Sequence, residues 1–89
     1  MIIALDYDKT YTVDKDMWAK FCVLAQSYGH EVICITMRFN NDEERLGNLP
    51  MSKIYYTERK AKLVWAAKNN IRVDIWIDDE PLWLFQGAS

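Results

Sequence analysis

The sequence predicts an α/β domain built on a small parallel sheet of about four strands, layered between helices. Three observations predict it. Short apolar runs rich in β-branched residues recur along the chain, and segments with helical spacing lie between them. The runs are continuous rather than alternating, as suits parallel strands covered on both faces.

The first strand is Ile2 to Leu5, and Asp14 or Asp16 can then cap a helix through Met17, Trp18, Phe21, Cys22, Leu24 and Ala25 to Tyr28, which Gly29 stops. Val32 to Ile35 is the second strand. Phe39 to Met51 carries Asn40-Asn41, Gly47-Asn48 and Pro50, the composition of a loop around one helical turn. Ile54 to Tyr56 is a weaker strand, and Glu58 to Asn69 places Leu63, Val64, Ala66 and Ala67 at helical spacing. Val73 to Ile77 is the last strand, and Pro81 can open a short helix with Leu82, Trp83 and Phe85. Strands alternating with helices imply crossovers and one parallel sheet, so residues 1–89 read as a single domain.

Composition narrows the function classes. Mean hydropathy of -0.24 and the lack of any long apolar stretch argue against a membrane protein. A net charge of -2 gives no basic footprint, so nucleic acid is expected only as a substrate. Cys22 and Cys34 lack the spacing of a zinc or redox pair and read as core thiols, which fits a reducing cytoplasm. His30 follows Gly29 in a turn and is not expected to be a ligand.

In a parallel sheet the strand termini share one edge, where ligands bind. The first strand ends in Asp6-Tyr7-Asp8, the second in Thr36-Met37-Arg38 and the last in Asp78-Asp79-Glu80, with Lys60 and Lys62 shortly before. Five acids near one edge repel unless some hold protons or a cation sits among them. An oxygen-only set favours magnesium over zinc. Taken alone, Asp78-Asp79-Glu80 reads as a cap for the helix at Pro81, Thr36 as a strand-end hydroxyl, and Asn41 to Arg45 as a solvated face. Arg38 has two readings, a ligand for a substrate phosphate or sugar and an exposed ion pair. Trp83 reads as core or interface packing before it reads as a platform for a base.

Together these residues resemble the motifs of the haloacid dehalogenase superfamily. "DYDKT" is similar to its first motif, "ICITMR" to its second and "WIDDEP" to its acidic fourth, while Lys62, or alternatively Lys60, stands where the family places a lysine. The order covers nearly the whole chain. The resemblance implies a small Rossmann-like three-layer sandwich without a cap domain. It implies a magnesium-dependent phosphatase in which Asp6 is the nucleophile and Asp8 the acid/base, with a carbonyl on the metal. Thr36 and the lysine would bind the phosphoryl group, and Asp78 and Asp79 would complete the metal site together with Asp6. Thr10, Lys9 and Arg38 are candidates for contacting substrate.

Two departures stand out. Lys9 occupies a position where the family commonly has Gly, which requires an unusual backbone or a variant loop, and no insertion is long enough to be a cap. The open site suits a macromolecular phosphate or a covering subunit, though a phosphorylated small molecule also fits, and exposed aromatics are compatible with a homodimer. The rival readings are a binding or regulatory module with little turnover and a phospho-accepting receiver domain. The receiver order differs, because its acceptor Asp follows a later strand than its acid pair.

Overall fold

A computed structural model of the chain describes residues 1–88. It contains four strands, β1 (Ile2–Leu5), β2 (Glu31–Thr36), β3 (Ile54–Tyr56) and β4 (Ile75–Ile77). It also has two α-helices, α1 (Lys15–Ser27) and α2 (Lys62–Lys68), and short 3-10 turns at Tyr11–Val13, before α1, and Pro81–Leu84, after β4. All strand pairs are parallel, in the order β3-β2-β1-β4. The chain steps outward from β1 to β2 and β3, then crosses to β4 on the other side, which makes the carboxyl end of β1 the place where strand order reverses.

Alternating residues of each strand feed two cores. Ile3, Leu5, Val32 and Cys34 pack with Cys22 and Ala25 of α1, whereas Ala4, Ile33 and Ile35 pack with Ala66 of α2. The helices therefore cover opposite faces, and this is why the strand sequences are continuously apolar. Both thiols are free and buried, as expected of core residues.

Local signals act where they were read. The Asp14 carboxylate accepts from the Met17 N–H at 3.1 Å to cap α1, and Gly29 leaves the helix with a φ of 84°. The 39–51 segment holds one hydrogen-bonded turn: Asn41 Oδ1 accepts from the Glu43 and Glu44 N–H groups, and the Asn41 carbonyl accepts from Arg45.

Boundaries differ by more than one residue at two places. Helix α2 begins at Lys62, not Glu58, because Glu58 (φ 55°) and Arg59 (φ 71°) take left-handed backbone that a right-handed helix excludes. Buried Thr57 closes that turn, its hydroxyl donating to the Lys60 carbonyl at 2.8 Å. Strand β4 begins at Ile75, not Val73, because the chain joins the sheet through Asp74: its carboxylate accepts from the Ile2 N–H at 2.7 Å.

Candidate active site at the carboxyl edge

The end of β1 carries the centre of the site. The Asp6 N–H donates to the Ile77 carbonyl, which continues the β1–β4 ladder and fixes where the Asp6 side chain leaves the sheet. The chain then folds tightly over Tyr7 to Thr12, with the Thr10 and Thr12 N–H groups donating to the Tyr7 carbonyl. Lys9 makes that turn possible by adopting a φ of 63°, the unusual conformation its position demands.

Lys62, buried at the start of α2, donates to Asp6 Oδ1 and to Asp78 Oδ2, each at 2.7 Å. Lys60 points elsewhere and is exposed, so of the two candidate lysines Lys62 is the one beside Asp6. Burial pushes Asp6 up, the Lys62 ammonium pulls it down, and the balance leaves the carboxyl at about 6. Burial would lower the Lys62 ammonium, but Asp6 and Asp78 outweigh it and raise its pKa.

Thr10 is buried rather than open to substrate. Its hydroxyl lies 3.1 Å from Asp6 Oδ2 and 3.3 Å from Asp79 Oδ1, and it accepts from the Asp79 N–H at 3.1 Å, so it ties the first acidic segment to the last. The acids after β4 are thus drawn into the site instead of capping the following turn: no side chain caps Pro81–Leu84, and Asp78 Oδ1 accepts from the Glu80 N–H.

Oxygens of Asp6, Asp78 and Asp79 lie within 4.8 Å of one another. Oxygens around a magnesium ion at about 2.1 Å stand roughly 3 to 4.2 Å apart, so a slight contraction would bring these three into its shell. Three carboxylates less the Lys62 charge leave two negative charges, which matches a divalent ion. The donor set therefore fits magnesium.

The Asp8 carboxylate lies outside this cluster. Arg38 grips it with a fork, Nε at 3.0 Å and NH2 at 2.8 Å, and those hydrogen bonds hold Asp8 below the usual carboxylate range. Arg38 thus forms the ion pair of its second reading. Thr36 is buried at the end of β2 and its hydroxyl accepts from the Arg38 N–H at 3.3 Å.

A cleft of about 300 Å³ opens over these groups, lined by Asp6, Asp8, Lys9, Thr36, Lys62 and Asp79 among others. Arg59 and Trp83 also line it. Arg59 was missed in the sequence, yet it follows β3, and the strand-end rule applied to the weakest strand would have found it. Glu44, read as part of a solvated face, is half-buried and receives Arg59 NH2 at 2.9 Å and the Phe39 N–H at 3.1 Å. Nothing in the sequence pattern signals that role.

The molecule is thus a parallel α/β domain with an acidic, lysine-paired site at its carboxyl edge. No family model, curated protein or solved structure matches the chain. Among the described residues, no helix is long and apolar enough to cross a membrane.

Proposed function

We propose that the chain is a minimal, cap-less phosphohydrolase of the haloacid dehalogenase type that uses magnesium and an aspartyl-phosphate intermediate. The observation that carries this reading is the convergence of Asp6, Thr36, Lys62 and Asp79, from four separate segments, on one cleft, with Asp78 beside them in the carboxylate cluster. Asp6 attacks the phosphorus of a phosphate ester, forming a carboxyl O–P bond as the ester O–P bond breaks. Asp8, once released from the Arg38 hydrogen bonds that hold it ionised, takes up a proton from solvent and gives it to the departing oxygen. It then takes one from the water that attacks phosphorus, which frees inorganic phosphate and restores the Asp6 carboxylate. Thr36 and Lys62 bind the phosphoryl oxygens, and Lys62 offsets charge that spreads over them. Asp6, Asp78 and Asp79, with the Asp8 carbonyl, would hold the metal, whose chemistry is to neutralise and orient the phosphoryl group.

Metal-dependent hydrolysis of an aryl phosphate tests this. Asp6→Asn should lower turnover by about a thousandfold or more, because removal of the attacking atom is not compensated by the remaining groups. Persistent turnover in that variant would sink the mechanism. The Arg38–Asp8 fork favours one rival, a module that binds phosphorylated ligands without turnover. Magnesium binding with no hydrolysis, including after Arg38→Gln has freed Asp8, would favour that rival.

A further inference from the structure

We infer that the cleft takes a nucleotide with a second phosphate on the same sugar, as in a free nucleoside bisphosphate or at the phosphorylated end of an oligonucleotide. This rests on the phosphohydrolase reading for the fate of the first phosphate, and its own support lies in the cleft walls. Because β1 sits between β2 and β4, Asp6 lies on the floor between two walls of different chemistry. Arg38 and Arg59, after β2 and β3, form one wall, and Trp83, after β4, belongs to the other.

The cationic wall is organised in advance. Arg38 lies 5.2 Å from the centroid of the Tyr7 ring and Arg59 lies 5.0 Å from that of Phe39, so each guanidinium is braced on an aromatic face. Arg59 NH1 also donates to the Met37 carbonyl at 2.7 Å, and Arg38 NH1 donates to the Glu44 carbonyl at 3.2 Å. A guanidinium has five N–H groups; Arg38 uses three of them and Arg59 two, which leaves donors on both for another acceptor. Lys62 is committed to Asp6 and Asp78 at the reaction centre. Each arginine pairs with one carboxylate, Asp8 for Arg38 and Glu44 for Arg59, yet keeps N–H groups free for a further anion, and their planar forks match phosphate oxygens. Bracing lowers the ordering cost of that contact.

The other wall carries half-buried Trp83, whose indole suits a nucleobase. A sugar held through its scissile phosphate at Asp6 can direct its base to one side and its second phosphate to the other. A cleft of about 300 Å³ holds one such unit, and without a cap the rest of a longer strand can leave. The net charge of -2 gives no track for a polymer backbone, so recognition is of an end and not of a stretch.

The test uses the Asp6→Asn chain with magnesium, titrated calorimetrically with a nucleoside 3′,5′-bisphosphate, the matching monophosphate and a sugar bisphosphate without a base. The nucleoside bisphosphate should bind at least about tenfold more tightly than either comparison ligand. Adding Arg59→Gln should remove most of the advantage over the monophosphate, and adding Trp83→Leu most of the advantage over the base-free sugar. If Arg59→Gln does not fold, Arg59→Lys, which keeps charge and loses the fork, is read the same way. Equal affinity for the three ligands overturns the inference. Aryl phosphate hydrolysis without bisphosphate preference overturns it while leaving the phosphohydrolase reading intact, whereas selective binding without hydrolysis does the reverse. Tighter binding of an end-phosphorylated oligonucleotide than of the free bisphosphate assigns the polymer, and the opposite order assigns the free nucleotide.

Discussion

Lys62 is the residue on which both stability and chemistry turn. Its ammonium is almost wholly withdrawn from water and is shared between two carboxylates whose side chains are 9% and 4% exposed. Such a triad is weak evidence for net stability, since desolvation offsets attraction, but removing its single cation leaves two acids facing each other without compensation. Lys62→Met is therefore expected to destabilise the metal-free protein by about 3–5 kcal/mol, softened to the extent that Asp6 takes up a proton. Magnesium should recover part of that loss, because a ligand that binds only the folded state stabilises it. Urea unfolding with and without magnesium reads both effects; a loss below about 1 kcal/mol would contradict the burial argument. In the sequence Lys62 stands closer to the spacing of the resembled family, with Lys60 as an alternative. They separate in space, because the turn at Thr57 delays the helix and brings Lys62 to its first position.

At the scale of elements, the strands and α1 were legible because their signals are local: apolar runs, the Asp14 cap and the Gly29 stop. The convergence of acids was legible for a topological reason, since any parallel sheet gathers its carboxyl ends. What stayed hidden depends on long-range partners. The Asp8 carboxylate turns to Arg38, thirty residues away in sequence, and Glu44 turns to Arg59 across the β2–β3 loop. The start of α2 was misread because Glu58 and Arg59 have no intrinsic preference for left-handed backbone; the surrounding packing imposes it. That conformation costs a non-glycine residue about 1–2 kcal/mol, while glycine forfeits about 0.5–1 kcal/mol in added chain entropy. Glu58 is exposed and its carboxylate accepts no hydrogen bond among the described residues, so Glu58→Gly should raise stability by about 0.5–1 kcal/mol. Thermal melting would show a midpoint increase of a few degrees, and a decrease would mean that Glu58 has a role beyond its backbone.

For the whole molecule, the buried ionisable groups set how stability follows pH. Asp6 is raised from 3.8 to about 6 by burial, so the metal-free native state holds a proton that the unfolded chain has already released between those values. Stability conferred by that proton is present below about 4 and is lost as pH rises through 6, an effect on the order of 1–3 kcal/mol. Asp8, Glu44 and Asp74 are shifted the other way, by Arg38, by the Phe39 N–H and by the Ile2 N–H respectively. Their contribution is present above their unfolded values and is lost only on further acidification, so the metal-free protein should be most stable near pH 4–5 rather than at neutrality. Burial also lifts Cys34 from 9.0 to about 12, which adds a second decline as pH rises above 9 while the unfolded thiol ionises and the native one does not. Magnesium should flatten the first decline and leave the second, because a cation beside Asp6 favours its charged form and does nothing for a thiol in the core. Chemical denaturation across pH 4.5–10, in chelator and in saturating magnesium, separates the two. Asp6→Asn should abolish the first slope and Cys34→Val should reduce the second. A first slope that survives Asp6→Asn would assign the acidic titration to another group and remove the proton–metal competition from the account of this site.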